Sequence, residues 1–424
     1  METRRGQRRR LPLALAYRGV VPETTRSPLA LAALATAAIP GLDVIAARPP
    51  RVPGADFDVA AVLDSERNRW VVRAPRTAAA GAAMEGEIAV LHHLGQAADD
   101  GRLGFQVPRP AGFAALPEGG RAMIYPELVG SPLRVDDIGP GPGLAAEVGR
   151  ALARLHELDT LVVADAGLPT YDADTYRRRR LNELDEAART GHVPASLLRR
   201  WEHALENVSL WRFKATVVHG DLASEHVLVQ GQQVRGVLDW SETRVADPAD
   251  DLAWLYAEAG DEGLESVLEA YALGRTEGAD EHITDRALLA GELALVRWLM
   301  HGVRVRDGEI IDDAIAMLGQ LAVDLVDAPG IGRSEPVVEQ IDPIGRVAPS
   351  QDVAAGGDMA ADGDVAADGD GDPHGQGVQN PSEHATAADT DELQVPDYAR
   401  EDEPRGGDDS PTTSLPRQSP ETGS

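Results

Sequence analysis

Asp221, His226 and Asp239, side chains able to accept a proton or bind a cation, share one apolar frame between positions 217 and 254. Val217-Val218 is a short apolar run that stops at His219-Gly220-Asp221, so an acidic side chain is presented from a glycine-containing loop at a strand end. Such a carboxylate is positioned rather than packed. Residues 226–229 (His-Val-Leu-Val) read as a strand, Gln230-Gly231-Gln232-Gln233 as the turn and residues 234–238 as the returning strand. Counting outward from the turn sets His226 opposite about Leu238, beside Asp239. Asp221, His226 and Asp239 therefore meet at the open end of one hairpin. Acceptor groups in that arrangement suit a divalent cation with a neighbouring base.

The elements that must position this cluster can be read in chain order. Ser27-Pro28 is a helix start, an N-cap followed by a first-turn proline, and Pro40-Gly41 stops the helix. Residues 43–47, 57–63 and 70–74 read as three strands of an antiparallel meander with no Gly-x-Gly-x-x-Gly phosphate loop between them. Arg73 ends the third strand. A helix over residues 78–94 follows, with Met84, Ile88 and Leu91 on one face; Glu87 lies within that face and wants a cation, for which Arg73 is the candidate. Met123-Ile124-Tyr125-Pro126-Glu127-Leu128-Val129-Gly130 is an extended run closed by proline and glycine, and the pattern then becomes helical. A boundary therefore falls between residues 28–128 and residues 129–330. Helices are expected over residues 144–155, 173–189, 194–210, 252–259, 264–273, 283–303 and 310–327, with the hairpin set among them. His156 reads as a helix-end residue touching neighbouring backbone. Asp247-Pro248 reads as another helix start capped by Asp247, with Asp251 in the first turn, where a carboxylate favours the helix dipole, or bracing the loop at residues 219–221.

Composition narrows the function. Of the formal charge of −30, residues 331–424 contribute −16 from 21 acidic residues and 5 arginines, leaving −14 for residues 1–330. That segment, rich in Asp, Gly, Ala, Pro and Ser with Tyr398 as its one aromatic residue, is expected to be a disordered acidic tail. Residues 1–27, with five arginines before a short apolar run, read as a basic disordered extension rather than an export signal or a membrane span. Strong acidity argues against nucleic acid as a partner. The chain has no cysteine, which excludes disulfides and thiolate chemistry and fits a reducing cytoplasm. Its one lysine, Lys214, excludes a P-loop.

The order of these parts (meander, Arg73, helix with Glu87, Tyr-Pro-Glu-Leu connector, His-Gly-Asp loop, hairpin ending Leu238-Asp239-Trp240, then Asp247-Pro248-x-x-Asp251-Leu252-Ala253) resembles the aminoglycoside phosphotransferase-like kinases over about residues 28–328. The macrolide phosphotransferase branch is most similar, because it too has histidine at the position of His226 and a Trp-Val-x-Arg-x-Pro-Arg strand, here Trp70 to Arg76. The resemblance implies an α+β, two-lobed protein-kinase-like fold with a small antiparallel-sheet lobe and a mainly helical lobe. It implies Asp221 as catalytic base, Asp239 and His226 on Mg²⁺, and Arg73, oriented by Glu87, on the phosphates. Tyr125, Glu127 and Leu128 would offer backbone groups to the purine of GTP or ATP. Phosphoryl transfer needs positioning and charge neutralisation more than covalent chemistry, so this set suffices. The expected acceptor is a small cationic alcohol, a macrolide amino sugar. An aminoglycoside or a small-metabolite alcohol, or a non-catalytic pseudokinase binding module, are the alternatives.

Overall fold

In the computed structural model, which describes residues 26–50 and 56–332, Ser27 caps helix α1 (Pro28–Ala38) by accepting the Ala30 N–H at 3.2 Å. Except for residues 26–27 and 331–332, the anticipated basic extension and acidic tail lie outside the described residues. Helix α1 lies on a five-stranded antiparallel sheet made of β1 (Val44–Arg48), β2 (Phe57–Asp64), β3 (Arg69–Pro75), β4 (Gly112–Ala115) and β5 (Arg121–Pro126), in the order β1-β2-β3-β5-β4. The meander expected from the sequence forms β1 to β3. Strand β4 was not anticipated: Gly112-Phe113-Ala114-Ala115 has no β-branched residue, and it forms because β5 offers it an edge.

Between β3 and β4 runs α2 (Ala78–Asp99), capped by the Thr77 hydroxyl, which accepts the Ala80 N–H at 3.0 Å. Its buried face carries Met84, Glu87, Val90, Leu91 and Leu94, the spacing of one helical stripe with a carboxylate inside it. The helix runs past the expected end at residue 94.

The remainder is mainly helical, as the sequence pattern indicates. It comprises β6 (Ser131–Pro132), α3 (Leu144–His156), α4 (Leu161–Ala164), α5 (Ala173–Ala188) and α6 (Ala195–Glu206). Next come β7 (Thr216–Val218), β8 (Val227–Gln230), β9 (Gln233–Val237) and β10 (Arg244–Ala246). The described part closes with α7 (Ala253–Glu258), α8 (Asp261–Gly274), α9 (Ile283–Val305) and α10 (Gly308–Asp324). Among the described residues no helix is long and apolar enough to cross a membrane. Lys214, exposed and paired with Glu277 at 3.1 Å, stands two residues before the start of β7.

Two antiparallel ladders are nested. Strands β8 and β9 form the hairpin, joined by β6, while β7 pairs with β10 through Val218–Arg244, Val217–Val245 and Thr216–Ala246. Residues 219–226 and 238–243 are therefore held at both ends, by different ladders, and must face one another. A register shift between Leu228 and Val229 moves the pairing one residue beyond a strict count from the turn and brings Leu238 to His226, where the Leu238 N–H donates to the His226 carbonyl at 2.9 Å. The core beneath the hairpin is apolar, with Val227, Val234 and Val237 meeting Val148, Leu152 and Leu155 of α3.

Candidate active site

Asp221 stands on a loop whose backbone is clamped from behind. Gly220 has φ +87°, a left-handed conformation that glycine tolerates, and a Cβ there would collide with the Glu242 carbonyl and the Arg244 guanidinium. Asp251 clamps the same turn: its carboxylate accepts the His219 N–H at 2.7 Å and the Gly220 N–H at 2.8 Å. Asp251 thus braces the loop, while Asp247 caps the helix start as the sequence suggests, accepting the Ala249 N–H at 3.0 Å. On the other side, Arg244 Nη2 donates to the Gly220 carbonyl at 3.2 Å and to Asp250 at 2.8 Å. Asp250 also accepts from Arg180 at 2.9 Å and from the Tyr176 hydroxyl. Burial works against its ionisation, but Arg180 and Arg244 overcome this and hold it well below the usual carboxylate range.

Arg73 and Glu87 meet as the sequence suggests. The guanidinium Nη1 donates to both Glu87 oxygens, at 2.7 and 2.6 Å, and Arg73 lies 3.7 Å over the Phe57 ring. A contact the sequence did not indicate is made by the other arm of the fork, Nη2, which donates to Asp239 Oδ1 at 2.5 Å. The Trp240 N–H adds a bond to Glu87 at 3.2 Å, so α2 is tied to the chain at Trp240 directly and at Asp239 through Arg73. Burial disfavours the charge on Arg73, but Glu87 and Asp239 more than compensate and raise its pKa. Asp239 is likewise disfavoured by burial, yet Arg73, His226 and the Ser241 hydroxyl, 2.8 Å away, hold it well below the ordinary range. Asp239 has φ +63°, a left-handed conformation that aspartate adopts more readily than most residues.

The two histidines have defined tautomers. His226 Nδ1 lies 2.9 Å from the Asp221 carbonyl, which can only accept, so Nδ1 carries the hydrogen. In the neutral ring Nε2 then holds a lone pair, 3.9 Å from Asp239 Oδ2. In the buried His219, Nε2–H donates to the Leu238 carbonyl at 2.8 Å and Nδ1 accepts the Asp221 N–H at 3.3 Å. Burial pushes the His219 pKa down, which keeps that arrangement. Asp221, His226 and Asp239 are thus brought to one place, the first through its own backbone and the others through side chains. Among the described residues no group of three or more His, Asp or Glu could hold a metal alone. His226 Nε2 and Asp239 Oδ2, on partly exposed side chains, are two donors that fit a cation keeping water and phosphate oxygens as its remaining ligands, as Mg²⁺ does.

Tyr125 is buried in β5 opposite Val71 of β3. Glu127 donates its N–H to the Arg69 carbonyl at 2.9 Å, and its carboxylate pairs with Arg69 at 2.6 Å and Arg48 at 3.2 Å. Leu128 is half-buried and packs toward Gly236 of the hairpin. His156 differs from expectation. It is buried and touches side chains rather than backbone, with Nε2 3.1 Å from Asp251 and Nδ1 2.8 Å from the Tyr271 hydroxyl. Arg244, Asp250 and Ser241 were not singled out in the sequence; the one local signal was Ser241, two residues after Asp239.

An arginine on a sheet strand, paired with a helix glutamate and facing an aspartate loop and a second acidic loop, is the organisation of kinase-like phosphotransferases. The chain belongs to the phosphotransferase enzyme family (APH), whose sequence profile matches residues 48–285. It is 33% identical over 277 residues to viomycin phosphotransferase of Streptomyces vinaceus, covering 60% of this chain and 88% of that protein. Its fold is similar to that of the macrolide 2'-phosphotransferase MphH from Brachybacterium faecium as apoenzyme, with TM-score 0.59 and 25% identity over 69% of this chain and 98% of that one. A type I macrolide 2'-phosphotransferase is similar at TM-score 0.59 and 28% identity over 70% and 98% of the two chains. The antiparallel sheet followed by a helical remainder is therefore the APH kinase-like fold, and the protein is a phosphotransferase.

Proposed function

We propose that this enzyme transfers the γ-phosphoryl group of GTP or ATP to a hydroxyl of a small cationic acceptor, a macrolide amino sugar. The observation that carries the reading is the meeting of loops 219–226 and 238–243, which sets Asp221 beside the His226–Asp239 pair and Arg73. Asp221 accepts the proton of the acceptor hydroxyl as its oxygen attacks the γ-phosphorus; the bond to the β-phosphate oxygen breaks, and a nucleoside diphosphate and a phosphate monoester leave. Arg73, kept charged by Glu87, orients phosphate oxygens. Asp239 and His226 would hold Mg²⁺, which supplies neutralisation of the phosphate charge. In this reading residues 28–128 hold the nucleotide, with the Tyr125, Glu127 and Leu128 segment at the purine edge. Residues 129–330 supply the catalytic loops and the acceptor surface. Use of a nucleoside triphosphate and the absence of cysteine accord with a cytoplasmic protein.

The macrolide acceptor is supported by the Trp70 to Arg76 motif, by His226 and by the likeness to two macrolide 2'-phosphotransferases. A second reading has its own support: the 33% identity to viomycin phosphotransferase favours viomycin as the acceptor. An assay of nucleoside diphosphate release with GTP and ATP, each against erythromycin, viomycin and kanamycin, decides between them. Turnover with erythromycin is expected; turnover with viomycin alone would transfer the assignment. Asp221→Asn is expected to abolish turnover while leaving nucleotide binding intact, and near wild-type activity in that variant would refute the base.

A further inference from the structure

Behind the candidate base runs a buried chain of hydrogen bonds that the reaction as described does not use. It starts on α8, where burial pushes the Tyr271 hydroxyl pKa up and keeps it protonated. That hydroxyl lies 2.8 Å from His156 Nδ1 at the C-terminal end of α3. His156 Nε2 lies 3.1 Å from Asp251 Oδ2, an oxygen that can only accept, so Nε2 carries the hydrogen and Nδ1 accepts from Tyr271. Asp251 ends the chain on the His219 and Gly220 amides, at 2.7 and 2.8 Å. The donors converge on Asp251, from Tyr271 and His156 on one side and from the two loop amides on the other, and the His156 and Asp251 side chains are fully buried.

We propose that His156, oriented by Tyr271, is a positioning residue of the phosphotransfer reaction: through Asp251 it fixes the His219-Gly220 turn and hence the direction of Asp221. The physical case rests on Asp251. Its two oxygens receive two backbone N–H groups that must be aimed within one turn, and a carboxylate with one end unanchored could rotate and satisfy either amide poorly. The His156 N–H fixes that rotation. Burial alone would raise the Asp251 pKa, but the hydrogen bond from His156, with the charges and amides around it, lowers it instead, so the acceptor stays ionised. The alternative is that the Tyr271–His156 hydrogen bond is only a packing device joining α8 to α3. Helices α3 and α8 already pack through Gly149, where a Cβ would strike the Val267 carbonyl, so the joint does not need it. The inference rests on Asp221 as the reacting group, and its test includes a readout that does not.

The experiment compares His156→Gln, His156→Phe and Tyr271→Phe in the full chain, measuring kcat and both KM values with the acceptor that proves active. Amide hydrogen exchange at residues 219–221 is measured in parallel. Glutamine can donate to Asp251 and accept from Tyr271; phenylalanine fills the space without either bond. Loss of a buried bond to a charged group predicts a fall in kcat of about 10- to 100-fold in His156→Phe, with both KM values near wild type and faster exchange at the loop amides. His156→Gln is expected to recover most of the rate, and Tyr271→Phe to lie between. Should His156→Phe fail to fold, Tyr271→Phe, which removes a single oxygen, decides the matter alone. Unchanged kcat and unchanged loop exchange in a folded variant would overturn the proposal, as would an equal loss in His156→Gln. If Asp221→Asn stays active while the loop amides exchange faster in His156→Phe, it is the base assignment that fails and the bracing that stands.

Discussion

Arg73 donates to Glu87 with one arm of its guanidinium and to Asp239 with the other, so a single side chain links β3, α2 and the loop after β9. A lysine offers one point charge on a flexible stem and cannot span the two carboxylates with the same planar fork. Removing the guanidinium would leave Glu87 buried without a charge partner. Arg73→Ala is expected to cost about 3–5 kcal/mol of stability, because an orphaned buried charge costs more than the pair contributes. Arg73→Lys should fold but bind nucleotide more weakly. Denaturant unfolding and nucleotide titration check both, and an Arg73→Ala protein as stable as the wild type would contradict the bridging role.

His219 supplies a pH dependence whose sign follows from its burial. Its folded pKa is lowered below the ordinary 6.5, so its contribution to stability is complete above that value and is lost as pH falls through the folded one. Melting temperature should therefore drop as the pH is taken from about 7 to about 5, and the drop should be shallower in His219→Gln. An identical slope in the variant would mean that other groups carry the dependence.

Gly220 is a position where any side chain is doubly penalised, by its left-handed φ and by the Glu242 carbonyl behind it. Gly220→Ala is expected to destabilise by roughly 1–3 kcal/mol and to cut kcat further than the stability loss explains, since the turn carries Asp221. A kcat unchanged in the folded fraction would separate the turn from the chemistry.

His226 is the residue whose type bears most on the metal. Its Nδ1–H is committed to the Asp221 carbonyl, so a metal could be met by Nε2. His226→Asn replaces an imidazole with a harder oxygen donor, and activity should persist and shift toward Mg²⁺ relative to Mn²⁺ or Co²⁺. Total loss with every ion would assign His226 to the loop rather than to the cation.

Contacts between residues close in the chain, or set by a turn, were readable. The β8–β9 hairpin followed from the turn at residues 230–233, though not its one-residue register shift at Leu228–Val229, and the inward Glu87 followed from its helical stripe beside Met84 and Leu91. What could not be read were bonds decided by how separate elements dock. Arg73 finds Asp239 across 166 positions, and His156 finds Asp251 across 95. Periodicity tells which face of α3 turns inward but not that a carboxylate waits there, so a buried imidazole was expected to settle for backbone. The pairing of β7 with β10 escaped notice for a related reason: three residues on each side are too few to make a pattern, and only the intervening hairpin brings them together.

The one lysine gives this fold an experimental handle. With Lys214 exposed and two residues before β7, amine-directed chemistry has a single side chain to find. A fluorophore attached there sits at the root of the strand that delivers Asp221. Its emission would follow movement of that strand during turnover without introducing a cysteine or altering a residue of the loop.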